Sequence, residues 1–187
     1  MIAMTNEVSG LPRGRSLTRA DLDLMPDDGH RYELIDGVLV VSPAPRIKHQ
    51  DVVGNLHLAL RAAVTPDLKV LMAPVDVALS DDTVMQPDLL VARREDFTER
   101  DLPTAPVLAI EVLSPSTRAF DLLLKKDRLE RAGCAHYWVI DPDVPAIRTW
   151  RLEGDAYVDS GSASGDDLFR TEAPFPMSFT AVSLVEH

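Results

Sequence analysis

The chain has almost no cysteine, no long apolar run and no surplus of positive charge, and each lack removes a class of protein. Its single cysteine, Cys134, excludes an internal disulfide and any multi-cysteine zinc site, and it fits a reducing compartment. In "RAGCAHYWV" that cysteine sits among apolar neighbours, where inert packing is the expected role rather than thiolate chemistry. The first sixteen residues, "MIAMTNEVSGLPRGRS", hold no apolar run suited to a signal peptide, and no later stretch is long enough to span a bilayer. No membrane association is expected, and the location expected is cytoplasmic. Thirty acidic residues against nineteen basic ones leave a formal charge of -11. That balance argues against a surface that is basic all over and attracts nucleic acid from every side. Repeats and low-complexity blocks are missing too.

What is present is an ordinary globular composition. With 187 residues, 45% of them hydrophobic, the chain suits one domain with one substantial core. Residues 1–16, with Gly10, Pro12 and Gly14 among polar residues, read as a flexible tail, and residues 17–187 as the domain. In "SLTRADLDLMP", Thr18 is placed to cap a short helix with Asp21 three residues on and Pro26 as its stop. "HRYELIDGVLVVSP" is two extended runs around Asp36 and Gly37, a hairpin signal.

From Lys48 to Val64, Val53, Leu56, Leu60 and Val64 recur at helical spacing and predict an amphipathic helix. "LKVLMAPVDVAL" predicts a strand, interrupted at Pro74 if at all, and "QPDLLVA" a second. "PVLAIEVL" predicts a third, apolar at nearly every position as in a strand covered on both faces. A helix over "STRAFDLLLKKDRLERAG" follows, capped by Ser116 or Thr117 and closed by Gly133. "AHYWVIDP" is a fourth buried strand, and the remainder reads as an antiparallel hairpin with an irregular tail. The fold class expected is α/β, a central mixed sheet flanked by helices with a hairpin at each end.

Two carboxylates stand out. Asp88 and Glu111 each occupy an otherwise apolar strand, and consecutive strands tend to pair, so the two acids are expected on one face. Their repulsion then needs a shared proton or a cation, and hard oxygen ligands suit Mg²⁺. Taken singly, Asp88 also reads as the cap of a turn after Pro87, and Glu111 as the partner of an arginine. Projection of the second helix at about 100° per residue puts Leu122, Leu129 and Ala132 on one stripe with Lys125 inside it, pointing at the sheet, and Lys126 toward its edge. Asp121, four residues before, is placed to pair with Lys125; the alternative is a solvated lysine pair.

The order and spacing of "RYELIDGVLVVSPAP", "KHQ", "QPDLLV", "AIEVLSPST" and "RAGCAHYWVIDP" resemble the Uma-two family of restriction endonucleases, a branch of the PD-(D/E)XK nuclease superfamily. The resemblance runs from about Leu17 to Trp150, and further in weaker form. It implies a restriction endonuclease-like fold, with Asp88 as a metal ligand, Glu111 as the second acidic ligand, and the Val112 carbonyl joining them. In the parent motif a lysine stands two residues after the second acid, but here that position is Leu113. The family places its lysine on the following helix, which in this chain is Lys125. Glu33 matches a further acidic position, either a ligand or a group that holds the hairpin to the helix by hydrogen bonds. The activity implied is Mg²⁺-dependent (or Mn²⁺-dependent) hydrolysis of DNA phosphodiesters, with a homodimer as the form suited to cutting both strands.

Other readings stay open beside that one: a non-catalytic dimerising or nucleic-acid-sensing domain that keeps the fold, and a hydrolase of another phosphate substrate. For a local basic patch the sequence offers Arg46 and Lys48, Arg93 and Arg94, and Lys125 with Lys126 and Arg128. His49 lies on the side of Val53, Leu56 and Leu60, where a helix-capping role is preferred to a phosphate contact. His30, His57 and His136 lack zinc spacing. Tyr137 and Trp138 are expected in the core rather than on a base-stacking platform.

Overall fold

The structure is a computed structural model that describes residue 12 and residues 14–115 and 118–185. Most of the expected tail, and the expected helix caps Ser116 and Thr117, lie outside the described residues.

Apolar strands need cover on both faces, and the chain provides it with two sheets and one long helix. In chain order the strands are β1 (Arg31–Ile35), β2 (Val38–Ser42), β3 (Leu68–Met72), β4 (Val77–Ser80), β5 (Thr83–Met85), β6 (Leu89–Arg93), β7 (Leu108–Val112), β8 (His136–Asp141), β9 (Ala146–Glu153), β10 (Ala156–Ser164), β11 (Leu168–Thr171) and β12 (Met177–Thr180). The helices are α1 (Arg19–Leu22), α2 (Ile47–Ala63) and α3 (Lys126–Arg131), the last continuing a π-helical segment, Phe120–Lys125. A six-stranded sheet runs β10-β9-β8-β7-β6-β3, a four-stranded sheet β2-β1-β5-β4, and β11 pairs with β12 alone. The large sheet is mixed, because β7 and β8 run parallel while its other neighbours are antiparallel.

Period-two alternation divides the side chains of the large sheet between two cores. On one face Leu89, Val91, Leu108, Ile110, Val112 and Trp138 meet the stripe Val52, Val53, Leu56 and Leu60 of α2. On the other, Ala109, Leu113, Tyr137 and Val139 meet Ile35, Val40 and Met85 of the small sheet and Leu129 of α3. Leu56 and Leu60 are fully buried, so α2 is held by tertiary packing of one face, as its spacing predicts. Cys134 packs in the second core, where burial pushes its thiol up to about 11, and Tyr137 and Trp138 are core aromatics as expected.

Several expectations are refined. The run "LKVLMAPVDVAL" divides at Pro74 into β3 of the large sheet and β4 of the small one, since proline has no N–H with which to continue a ladder. Helix α1 is a single turn ending at Leu22, ahead of Pro26. Asp21 accepts from the Thr18 N–H at 2.8 Å and also binds the Arg15 guanidinium, so the chain is already tied down ahead of the domain boundary read at residue 17. The expected irregular C-terminal tail contains the β11–β12 hairpin, whose Phe169 ring stands edge-on to Trp138 at 5.6 Å. No helix among the described residues is long and apolar enough to cross a membrane.

The β1–β2 turn shows why the dipeptide Asp36-Gly37 was informative. Both residues have positive φ, 53° and 73°, as the favoured two-residue hairpin turn demands. Gly37 is also where three segments meet: its carbonyl accepts from the Leu17 N–H at 2.9 Å and its own N–H donates to the Asp82 carbonyl at 2.8 Å. A Cβ there would lie 2.5 Å from the Ser16 Cβ. Gly37→Ala is therefore expected to cost about 1–3 kcal/mol, read as a lower urea midpoint with unchanged slope.

Candidate functional site

The pairing of β6 with β7 sets Leu89 opposite Ile110 and Leu90 opposite Ala109. One step further along that register brings Asp88, the residue just before β6, across from Glu111. Because Ile110 and Val112 point at α2, Glu111 points the other way, toward the small sheet and the helix after β7. Glu33 of β1 faces it from that sheet, and Lys125 descends between them from the end of the π-helical segment, a rare geometry that recurs at functional sites.

Lys125 Nζ lies 2.9 Å from Glu33 Oε1, 3.1 Å from Glu111 Oε1 and 3.9 Å from Asp121 Oδ1. Its side chain is 3% exposed. Glu33 Oε1 also accepts from the Gln86 N–H at 2.7 Å, and the Tyr137 hydroxyl donates to the Asp121 carbonyl at 2.6 Å. Asp88 belongs to the same assembly through different partners. The Val112 N–H donates to its Oδ2 at 2.8 Å, which joins the ends of the two strands. Arg31 Nη1 lies 2.8 Å from Oδ1, and His49 Nε2 lies 3.1 Å from Oδ2. The Arg31 Nε is 3.8 Å from Glu33 Oε2, so its guanidinium spans Asp88 and Glu33.

The structure thus gathers Asp88, Glu111, Lys125 and Glu33, which are scattered over more than ninety positions of the sequence, with Val112 at their junction. It adds two residues. Arg31 was not singled out from the sequence, although alternation along "RYELI" puts it on the same face as Glu33. His49 was preferred as a helix cap, but the N-cap position of α2 is Arg46, and His49 faces Asp88 one turn in. The side of the helix was readable from its spacing; the carboxylate opposite was not.

Electrostatics follow from the count of buried charges. Glu33, Asp88, Glu111 and Asp121 are all buried and bring four carboxylates, against two fixed cations, Lys125 and Arg31. Burial favours neutral carboxyls, but at Asp88 the His49 hydrogen bond and the charges of Arg31, His49 and Lys125 outweigh it and hold the group well below the usual carboxylate range. At Glu111 burial wins: with Asp88, Asp121 and Glu33 adding repulsion against Lys125, the carboxyl is pushed well above its ordinary value. Burial pulls Lys125 down, but Glu111, Glu33 and Asp121 overcome it and keep the ammonium charged. Of the four carboxyls, Glu111 is therefore the one whose surroundings most favour the protonated form.

Two carboxylate oxygens in this cluster, Glu33 Oε2 and Glu111 Oε2, are buried with no hydrogen-bond partner. Unsatisfied acceptors in a cluster with surplus negative charge fit a hard divalent cation such as Mg²⁺ or Mn²⁺. Among the described residues, no three His, Cys, Asp or Glu side chains are drawn together as a ready ligand set. The acids are turned instead toward Lys125, Arg31 and His49.

Solvent reaches this assembly through a cavity of about 950 Å³ lined by Arg31, Ser42, Arg46, His49, Gln86, Asp88 and Ser114 among others. Glu33, Glu111 and Lys125 lie behind that lining. The basic side chains considered for a patch do not converge. Lys125 is buried, Lys126 stands over the Trp150 ring at 4.9 Å, Arg128 pairs with Asp36, and Arg94 donates to the Pro66 carbonyl. Arg46 lines the cavity.

A mixed sheet whose central strand ends place two acids beside a lysine from the next helix defines an α/β protein of restriction endonuclease-like fold. The chain belongs to the Uma2 family, described as "Putative restriction endonuclease", whose model matches residues 19–184. It is similar to a crystal structure described as "a putative nuclease belonging to DUF820 from Anabaena variabilis ATCC 29413", with a TM-score of 0.71 over 90% of this chain and 97% of that one. Identity is 18%, so the likeness speaks for the fold. No curated protein matches the chain.

Two measurements test the electrostatic account. Lys125→Ala strands the buried carboxylates without their cation and is expected to cost about 3–5 kcal/mol in urea denaturation at neutral pH. Glu111 binds its proton more tightly folded than unfolded, so its contribution is complete below the ordinary value of 4.5 and is lost as pH rises through the folded value. Glu111→Gln, permanently neutral, should therefore gain stability relative to wild type as pH is raised from 5 toward 8. Parallel urea midpoints across that range would refute this assignment.

Proposed function

We propose that this chain is a divalent-metal-dependent endonuclease that hydrolyses DNA phosphodiester bonds, with residues 17–187 acting as one domain. The observation that carries the reading is Lys125 Nζ held between Glu33 and Glu111 at 2.9 and 3.1 Å, next to Asp88 on the paired strand. Asp88 and Glu111, with the carbonyl of Val112, would hold Mg²⁺ or Mn²⁺, and Glu33 shares Lys125 with Glu111. When bound, such a metal lowers the pKa of a water and polarises the scissile phosphate.

The chain's own groups supply the rest. Lys125 balances the carboxylates of the pocket and offsets negative charge that grows on the attacked phosphate, an effect magnified by the water-poor surroundings. Its displacement from the position of Leu113 to the following helix is tolerated because the ammonium still arrives beside Glu111, with Glu33 on its other side. Leu113 is then free to pack in the core, where it is 4% exposed. Arg31 and His49 meet the cavity beside Asp88 and are placed to donate to phosphate oxygens entering there. Glu33 of the small sheet holds Lys125, which also meets Glu111 of the large sheet, and its bond from Gln86 fixes Glu33 to the segment that leaves β5. Cutting both strands of a duplex takes two such sites, which a homodimer would supply.

A second reading is favoured by one specific feature: both Asp88 oxygens are already engaged by Arg31, His49 and the Val112 N–H. In that reading the fold is retained as a nucleic-acid-binding module without hydrolysis.

Calorimetric titration with Mg²⁺ and Mn²⁺, run beside cleavage of plasmid and single-stranded DNA, separates the two. We expect the wild type to bind metal and cut, and Asp88→Ala to lose both. Metal binding unchanged in Asp88→Ala would remove the site assignment, and metal binding without cleavage would select the second reading.

A further inference from the structure

We infer that the DNA strand taken by this site is unpaired, a single-stranded or locally opened segment whose bases stack on a wall formed by Tyr32 and His30 while its phosphate meets Arg31. The inference rests on the nuclease reading and adds to it the form of the substrate.

The cavity that reaches Asp88 has two kinds of lining. One is charged, with Arg31 and His49 beside Asp88 and Arg46 nearby. The other is aromatic and thioether: Tyr32 and His30, with Met25 and Met72. The rings of His30 and Tyr32 stand edge to face with centroids 6.3 Å apart. A single carboxylate positions both: Asp28 Oδ2 accepts from the Tyr32 hydroxyl at 2.8 Å, and its Oδ1 accepts from the His30 backbone N–H at 3.0 Å. His30 is nonetheless exposed, and Tyr32, which rests in part on the cluster of Leu17, Leu34, Leu39 and Val84, is half-buried, so the His30 ring and the outer part of the Tyr32 ring are left for a ligand.

Such a wall offers little to a duplex, whose base faces are stacked on one another and whose outward surface is phosphate and groove edge. An unpaired base presents a π-face, and every base has one, so an aromatic platform recruits single strands without regard to sequence. Charge points the same way. Following two phosphate backbones takes a broad basic surface, and this chain carries -11 with its cations dispersed. A single strand needs one phosphate path, which Arg31 and Arg46 can provide. Of the acids that line the cavity, Asp23 is paired with Arg100 and Asp88 with Arg31, while Asp27 and Asp76 leave that side of the cavity acidic. One strand also needs one active site, so cleavage of this substrate makes no demand for a second copy.

Fluorescence anisotropy tests the idea with a labelled oligonucleotide, offered alone or annealed to its complement, in EDTA so that cleavage does not intervene. The single strand is expected to bind at least about tenfold more tightly than the duplex, and Tyr32→Ala and His30→Ala each to weaken it by roughly tenfold. Tyr32→Phe keeps the ring but gives up its bond to Asp28, so it should retain more of the single-strand binding than Tyr32→Ala. His30 is on the surface, so its variant serves even if Tyr32→Ala does not fold. Duplex binding as tight as single-strand binding, or ring-deleting variants that bind the single strand normally, overturns the inference. The nuclease reading is judged separately, by Mg²⁺-dependent cleavage. A single-strand preference without cleavage ends that reading and leaves the stacking wall standing, whereas Asp88-dependent duplex cutting without the preference does the reverse.

Discussion

One ammonium group holds together parts of this protein that are far apart along the chain. Lys125 is the buried cation among the described residues, and it is surrounded by carboxylates from β1, from β7 and from its own helix. Removing so many charges from water is costly, and mutual neutralisation is what makes the arrangement tolerable. Because the neutralisation is incomplete, the cluster keeps an unmet demand for positive charge, expressed in the raised Glu111 carboxyl and in two buried carboxylate oxygens without hydrogen-bond partners. A stability argument alone would replace these residues by apolar ones of similar volume. Their presence behind the wall of a cavity that Asp88 lines is a reason to look for chemistry.

The two sheets explain how the cluster is assembled. Glu111 rides on a strand that is covered on both faces, so its backbone has little freedom, and the antiparallel β6 brings Asp88 up beside it. Glu33 and Arg31 arrive on the small sheet, which turns back on the large one at the β3–β4 break and is pinned through Gly37 to the segment that precedes it. Helix α2 braces the opposite face and contributes His49 from its first turn. Each charged side chain is therefore carried by an element whose position is set by apolar packing elsewhere. That division lets the site hold like charges at close range without unfolding the elements that bear them.

The acidity of the whole chain bears on how such a site meets nucleic acid. The cations are mostly spent on internal pairs: Arg15 with Asp21, Arg19 with Asp101, Arg118 with Asp141, Arg128 with Asp36. No continuous basic face results from the side chains considered for one. On the reading proposed, attraction of phosphate would fall to a few groups at the cavity, and contact with bases to its aromatic wall.

Much of the architecture was legible in order. The dipeptide Asp36-Gly37 specified a hairpin because its turn needs positive φ twice, the α2 stripe declared its buried face by 3.6-residue spacing, and "LAIEV" announced a strand covered on both sides by lacking polar alternation. Local rules of this kind act over a few residues, so a sequence displays them. The same rules located Asp88, Glu111 and Lys125 as charges at apolar positions. They did not reveal that β3 and β4 enter different sheets, that the C-terminal segment forms a hairpin over Trp138, or that Arg31 and His49 close on Asp88. By itself, then, the sequence determined the elements, their buried faces and which charges would be forced inward. Only the tertiary structure decided which charge met which, because pairing across segments depends on how the sheets fold against each other, and no local spacing encodes that distance.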